Sequence, residues 1–145
     1  MKKNLKTPTV FFNASVIIAG FISVNGGSAK LLKYVKENKI KGIISEIIYD
    51  EIMRKSEKTG LSSDEIKQKI FLIFNNIKKA PDKNLVEKFN SIVIDLGDSH
   101  VLASSTETKA DFLVTLDKKH LLILDKKIKG LKIVSPKQLI EKLND

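Results

Sequence analysis

Short apolar segments alternate with longer segments of helical periodicity along most of the chain. Four apolar segments have the length and residue types of buried strands: TVFF (residues 9–12), IKGII (40–44), DFLVT (111–115) and LKIV (131–134). Strands that alternate with helices in this way are typical of a parallel sheet covered by helices on both faces. The pattern therefore predicts an α/β fold, a three-layer α/β/α domain with a mostly parallel sheet of four to five strands.

The helical segments have apolar residues at helical spacing or clear capping residues. The predicted helices cover residues 14–22, 29–39, 46–58, 63–77, 84–92 and 100–109, followed by a C-terminal helix that starts at Ser135-Pro136. No linker or internal repeat divides the chain. We therefore expect residues 1–145 to form one domain, a size that can bury a normal core without disulfide or metal staples.

The charge and cysteine content exclude several classes of protein. There is no cysteine, which rules out disulfide frameworks and cysteine-ligated zinc or iron-sulfur sites. The net charge is +9, an excess that favours a polyanionic partner such as nucleic acid, although lysine-rich surfaces are also commonly just solvated. The basic N-terminus resembles a secretory signal, but its apolar run is interrupted and short, so we expect a cytoplasmic protein with no membrane partner.

Oxygen-bearing side chains lie where a parallel sheet places its ligands, at the carboxyl ends of the strands. Asn13 and Asp117 follow predicted strands, Asp98 begins a helix, and Glu51 lies within the helix after the second strand. These four side chains are the candidate site. Each also has an ordinary explanation: Asn13 and Asp98 as helix caps, Asp117 as a turn residue and Glu51 as a solvated helix acid.

The order of these segments resembles the PIN-domain family, metal-dependent nucleases that include toxins of toxin-antitoxin pairs. The resemblance covers about residues 9–143. It rests on six segments, VFFNASVIIAG, GGSAKLL, ISEIIYDEI, DLGDSHVLASS, ADFLVTLDKKHLL and KIVSPKQLIEKL. GGSAKLL and KIVSP are most similar to the bacterial and archaeal group described as toxin components.

The resemblance implies a function and a ligand set. Glu51, Asp98, Asp117 and, more weakly, Asn13 would hold Mg²⁺ or Mn²⁺, and a water activated by the metal would hydrolyse RNA phosphodiesters. It also implies three partners: RNA, a cognate antitoxin protein and a second copy of the chain in a homodimer. Hard oxygen ligands suit these metals, whereas a cluster without Cys or a nearby His holds zinc poorly. Crowded carboxylates should also make at least one of them easier to protonate.

Asn13 departs from the family pattern, which has an aspartate at this position. An amide oxygen can bind a hard cation but brings no charge, so we expect weakened metal binding and a weakened or inactive enzyme. The sequence fits an engineered inactivation or a naturally altered member. A non-catalytic PIN-like module that binds RNA or a protein partner is therefore the alternative function.

Other polar residues have supporting or structural interpretations. Ser15 and Thr115 are expected to orient ligands or to serve packing and capping. His100 and His120 are placed in helical surroundings, with surface or capping roles favoured over a catalytic pair. A basic run near the site fits either phosphate contacts or a solvated face; it consists of Lys118, Lys119, Lys126, Lys127 and Lys129.

Overall fold

A five-stranded, fully parallel sheet forms the centre of the computed structural model, which describes residues 7–75 and 77–144. The strands are β1 (Thr9–Phe12), β2 (Lys41–Ser45), β3 (Ile77–Lys78), β4 (Phe112–Val114) and β5 (Lys132–Val134). Their order across the sheet is β3-β2-β1-β4-β5. Because β1 is central and every pairing is parallel, the carboxyl ends of all five strands share one edge.

Seven α-helices cover the sheet in the described part of the chain. They are α1 (Ala14–Ile22), α2 (Gly27–Lys36), α3 (Glu46–Arg54), α4 (Ser63–Ile73), α5 (Lys83–Phe89), α6 (Ser99–Glu107) and α7 (Pro136–Leu143). Helix α1 packs against α2 and α3, and α2 packs against α4 and α7, whereas α5 packs against α6. The direction of chain travel across the sheet reverses after β3, so right-handed crossovers place these two groups on opposite faces. The three-layer α/β/α prediction is confirmed.

The packing of helices on both faces of the sheet explains why the strand sequences are continuous apolar runs. Phe11, Phe12, Leu113 and Val114 are fully buried because helices cover both faces of the sheet. Phe12 also meets Phe74 edge to face, with ring centroids 5.4 Å apart. The core therefore fixes β1 and β4 side by side, and with them the residues that follow each strand.

Several helix boundaries differ from the prediction: the helices predicted for residues 29–39, 84–92 and 100–109 are Gly27–Lys36, Lys83–Phe89 and Ser99–Glu107, and two other helices end about four residues early. The helix predicted for residues 63–77 ends at Ile73, because Phe74 leaves helical geometry to enter the core; Ile77–Lys78 instead forms the edge strand β3. The helix predicted for residues 46–58 ends at Arg54 and is followed by a 3-10 helix, Ser56–Thr59, that closes at left-handed Gly60. A two-residue strand is too short to produce a periodic sequence signal.

Among the described residues, no single helix has both the length and the apolar character needed to cross a membrane. Helices α1 and α2 pass that test only as a pair, bent by 101°.

Candidate metal centre

The four sequence-predicted residues are carried by elements at the carboxyl edge of the sheet. Asn13 directly follows β1, whereas Asp117 follows β4 after Thr115 and Leu116, so it is not immediately adjacent to the strand as predicted. Asp98 is the residue before α6, and Glu51 lies in α3, which begins directly after β2. Parallel strands thus bring residues that are distant in sequence to one edge.

Asp98 and Asp117 come together, and His120 joins them. One ligand-type atom from each of these side chains lies within 4.8 Å of the others. All three side chains are partly buried. Two carboxylates and an imidazole at this spacing form a group that can hold a divalent cation.

Asp117 is held by the turn that it starts. Its Oδ1 accepts a hydrogen bond from the His120 backbone N–H at 2.9 Å, and its Oδ2 lies 3.2 Å from the His120 Nδ1. The turn-residue interpretation of Asp117 is therefore confirmed, but it does not exclude a ligand role, because carboxylate oxygens have further lone pairs. The same contact orients the imidazole ring of His120.

Asp98 has no structural partner that explains its burial. Its side chain makes no capping hydrogen bond to α6, and its Oδ2 is buried without a hydrogen-bond partner among the described residues. A buried carboxylate oxygen left without a donor is costly unless an ion or water satisfies it. Asp98 therefore occupies the N-cap position that was predicted, but its side chain does not cap the helix, which leaves its carboxylate available to a ligand.

The electrostatics of Asp98 follow from this location. Burial, then the nearby charges of Asp95, Asp117 and Glu51, raise the pKa of Asp98 to about 6, and His120 partly opposes the rise. The expectation that one carboxylate protonates more easily is confirmed. Its main cause, however, is loss of hydration and not repulsion alone.

Asn13 is a buried connector between β1 and the Asp117 turn. Its Oδ1 accepts a hydrogen bond from the Ala14 N–H at 3.0 Å, and its Nδ2 donates to the Thr115 Oγ1 at 2.9 Å. The Thr115 Oγ1 also accepts from the Asp117 N–H at 3.1 Å. The cap interpretation of Asn13 is confirmed. Thr115 links Asn13 to the Asp117 main chain, which fits the predicted role of Thr115 in orienting a ligand.

Ser15 has a similar supporting position. Its Oγ accepts a hydrogen bond from the Leu116 N–H at 3.2 Å, which ties the first turn of α1 to the segment between β4 and Asp117. Ser15 and Thr115 therefore fix the loop from two sides.

Glu51 lies at the margin of the group. Its Oε2 forms an ion pair with the Lys55 Nζ at 3.0 Å, one helical turn away. It is not one of the three residues whose ligand atoms cluster, but it is close enough to influence the pKa of both Asp98 and His100. Its predicted role as a metal ligand stays a prediction.

The sequence interpretation missed His120 and Asp95. The sequence predicts helical surroundings for His120, but His120 lies in a turn beside the acids, so the prediction of an acidic cluster without a nearby His is wrong. The three-residue spacing in DKKH was the available signal, since a turn lets an Asp side chain bond the residue three positions on. His100 does lie in α6, and burial lowers the pKa of its imidazole, with Glu51 opposing.

The family model described as PIN domain matches residues 9–119 of the chain. This segment spans β1 through the Asp117 turn and includes all four predicted site residues. The chain belongs to the PIN-domain family. A comparison with curated protein sequences gave no match.

PIN domains are generally metal-dependent nucleases, and the residues of this PIN domain fit a divalent metal. Asp98, with its unsatisfied buried oxygen, and Asp117 supply hard oxygen ligands, and His120 supplies a nitrogen that Mn²⁺ accepts more readily than Mg²⁺. Asn13 contributes no charge.

Proposed function

We propose that this PIN domain is a divalent-metal-dependent endoribonuclease whose activity is weakened by Asn13. The observation that supports this most strongly is the Asp98, Asp117 and His120 group, with the Asp98 Oδ2 buried and unpaired, at the carboxyl edge of the sheet. No protein donor in the described residues satisfies that oxygen. A metal-binding acid requires that the oxygen be available to the cation.

The proposed roles follow from the contacts of each residue. Asp98 and Asp117 hold Mg²⁺ or Mn²⁺, and His120, oriented by Asp117, completes the group on one side. When bound, the metal supplies a Lewis acid that offsets negative charge on the phosphate and favours attack by water. Glu51 adds negative charge at the margin and, when unpaired from Lys55, can accept a proton.

Thr115 and Ser15 position the loop that carries Asp117 and take no part in the reaction. Thr115 bonds both Asn13 and the Asp117 main chain, and Ser15 bonds the Leu116 main chain, so the loop that carries Asp117 is held at two points. Fixed ligands lose little free energy to reorganisation when the cation and substrate bind.

The Asn13→Asp variant tests this proposal. The added carboxylate can accept a hydrogen bond from the Thr115 hydroxyl, so the linkage to Asp117 survives while the site gains a unit charge. At roughly 4 Å and an effective dielectric near 20, that charge is worth at most about 4 kcal/mol. We expect Mg²⁺- or Mn²⁺-dependent cleavage of RNA, measured on labelled oligonucleotides, with no cleavage in EDTA.

The control is a second change, Asp98→Asn, in the Asn13→Asp background, which should abolish cleavage while the protein stays folded. If the Asn13→Asp protein neither cuts RNA nor binds metal by calorimetry, the nuclease proposal is wrong.

The second candidate function is a non-catalytic RNA-binding or partner-binding module. It is favoured by one observation: both heteroatoms of the Asn13 amide are already used in internal hydrogen bonds. This function predicts salt-sensitive RNA binding that persists in EDTA and no cleavage even after Asn13→Asp.

We further propose a cytoplasmic toxin that forms a homodimer and is neutralised by an antitoxin protein. This part is supported by the resemblance of the GGSAKLL and KIVSP segments to toxin components. Production of the Asn13→Asp protein should arrest bacterial growth, and production of the present chain should not. Light scattering of the purified protein gives the oligomeric state directly.

A further inference from the structure

A second cleft lies at the opposite edge of the sheet from the acidic group. It has a volume of about 1100 Å³, and its lining includes Thr9, Phe112 and Lys132, the first residues of β1, β4 and β5. Because the strands are parallel, their amino ends share this edge, whereas Asn13 and Asp117 follow their carboxyl ends. The cleft is therefore separate from the candidate metal centre.

The lining of this amino-edge cleft is strongly basic. Two aspartates line it, but both already accept main-chain hydrogen bonds: Asp111 from the Thr9 N–H and Asp125 from the Ile133 N–H, each at 2.9 Å. Five lysines also line it, and none of them forms an ion pair with any residue in the described ranges. They are Lys109, Lys126, Lys129, Lys132 and Lys142. The five lysines outnumber the two aspartates, so the lining of the cleft has a net positive charge.

Two of these lysines occupy backbone positions that disfavour lysine. Lys109 has φ of 57° and Lys126 has φ of 73°, in the left-handed region that glycine and asparagine adopt most easily. The remaining non-glycine residue with positive φ in the described chain is an asparagine, Asn38. We expect glycine at positions 109 and 126 to give a more stable chain, and the lysines at these positions place their charges at the cleft despite that cost.

The floor of the cleft is apolar. Ile128 and Leu131 line it and are buried, and Phe112, which is partly buried, also lines it. Lysines around an aromatic and aliphatic floor are the arrangement with which proteins bind single-stranded nucleic acid, since bases contact the apolar surface and phosphates contact the cations.

Lysines are also present on the other side of β5. A smaller cleft of about 500 Å³ lies on the other side of β5, shares Asp125 with the amino-edge cleft, and is lined by two lysines, Lys118 and Lys137, and two acids, Asp125 and Glu141. Lys118 is the neighbour of Asp117 in sequence. Lysines therefore lie on both sides of β5, and one of them, Lys118, is next in sequence to a proposed metal ligand.

We propose that the amino-edge cleft is an accessory binding site for single-stranded RNA, which holds the strand on either side of β5 and directs it to the acidic group. The inference rests on the proposed RNA substrate. It assigns Lys126, Lys129 and Lys132 as phosphate contacts remote from the metal ligands, so the prediction that Lys126 and Lys129 lie near the acidic site is wrong.

The test is binding of a fluorescein-labelled 12-nucleotide single-stranded RNA, measured by anisotropy in EDTA so that cleavage plays no part. The variant Lys126→Gln/Lys129→Gln/Lys132→Gln should bind about tenfold or more weakly, and its slope of log affinity against log salt should fall by about 2, as expected for three lost single-strand phosphate contacts.

The matched control removes three exposed lysines from α2 and α4, Lys36→Gln/Lys67→Gln/Lys69→Gln. It should weaken binding by less than about threefold, because net charge alone acts at long range. Equal weakening in both variants, or none in either, would overturn the proposal.

Two further measurements separate the possible ligands and roles. Uridine monophosphate should not displace the 12-nucleotide RNA at an equal concentration of phosphate groups; displacement would make the cleft a mononucleotide site and reject the strand proposal. Lys126→Gly should raise the thermal midpoint while weakening RNA binding, because Lys126 has positive φ and is one of the assigned phosphate contacts. If it raises the midpoint and leaves RNA binding unchanged, the lysine at that strained position has no role in RNA binding and the proposal loses its support.

The RNA-binding measurements can be interpreted independently of the nuclease assay. Cleft-dependent RNA binding without cleavage by the Asn13→Asp protein would reject only the nuclease. Metal-dependent cleavage with RNA binding that ignores the cleft lysines would reject only the accessory site.

Discussion

Asp98 lies in an environment that favours its neutral form when no metal is bound. Its pKa is raised to about 6 by burial and by the neighbouring acids, against an ordinary value of 3.8. The folded state therefore binds this proton more tightly than the unfolded state does. The contribution of Asp98 to stability is greatest below about pH 4 and falls as pH rises to about 6.

Asp98→Asn should consequently stabilise the metal-free protein above pH 6. Solvent screening of this half-exposed carboxyl limits the gain in unfolding free energy to about 1–2 kcal/mol. Urea unfolding in EDTA at pH 4, 5, 6 and 7.5 measures it, and the advantage of the variant should grow across this range. Burial lowers the pKa of the His100 imidazole, so the contribution of His100 to the stability of the fold decreases as pH falls. His100 is present in both proteins, so this contribution cancels in the difference between them. A constant difference at all four pH values would contradict the prediction.

His120 should decide which metal the site prefers. An imidazole nitrogen binds Mn²⁺ much better than Mg²⁺, which prefers oxygen. We expect His120→Gln to weaken Mn²⁺ binding by about tenfold and Mg²⁺ binding by less than about threefold, measured by calorimetry. Lys119→Gln, in the same exposed turn, is the control and should change neither affinity appreciably. Equal losses for both metals would instead indicate that His120 only orients Asp117.

At the scale of elements, α4 is started by a reciprocal cap. The Ser62 Oγ accepts from the Glu65 N–H and the Glu65 Oε1 accepts from the Ser62 N–H, each at 3.1 Å. This capping box fixes the helix that leads into β3, far in sequence from the acidic residues 98 and 117.

Ser62→Ala should lower the free energy of unfolding by about 1 kcal/mol, because two donors at the helix start lose their partners or their geometry. The neighbouring Ser63→Ala is a matched control, since Ser63 is exposed and makes no capping bond, and it should change stability by less than about 0.5 kcal/mol. Chemical denaturation measures both. If the two variants lose the same stability, the cap is not the cause.

At the scale of the whole molecule, metal binding should join elements that the sequence separates. Asp98 precedes α6 and Asp117 follows β4, so a cation held by both stabilises the fold only when these elements are assembled. At a free metal concentration of about 100 times the dissociation constant, the stabilisation is about 2.7 kcal/mol.

Mn²⁺ should therefore raise the melting temperature of the present chain by several degrees and leave Asp98→Asn almost unchanged, as measured by thermal unfolding. In EDTA at pH 7.5 the order should reverse, with Asp98→Asn melting higher. This crossing separates a metal ligand from a residue that merely destabilises the fold. An Asp98→Asn protein that melts lower under both conditions would argue for a structural role.

Much of the fold was readable from the sequence because its signals are local. The strand at residues 9–12 and the helix at residues 14–22 agree with the structure to the residue, since an apolar run followed by Asn13 indicates a buried strand and a capped helix. The same rule for parallel sheets correctly placed Asn13 and Asp117 at one edge. β3 was missed because two residues carry no periodicity, and its pairing with β2 depends on where Phe74 enters the core.

The sequence by itself determined the α/β class, the family resemblance and the set of candidate acids, because residue type and spacing along one chain are enough for each. Only the tertiary structure decided that Asp98 leaves a buried oxygen unpaired, that His120 stands with the acids while Glu51 pairs with Lys55, and that lysines gather at the opposite edge. Those facts depend on distances between side chains brought together by packing, and hydration and charge respond to that packing and not to position in the sequence.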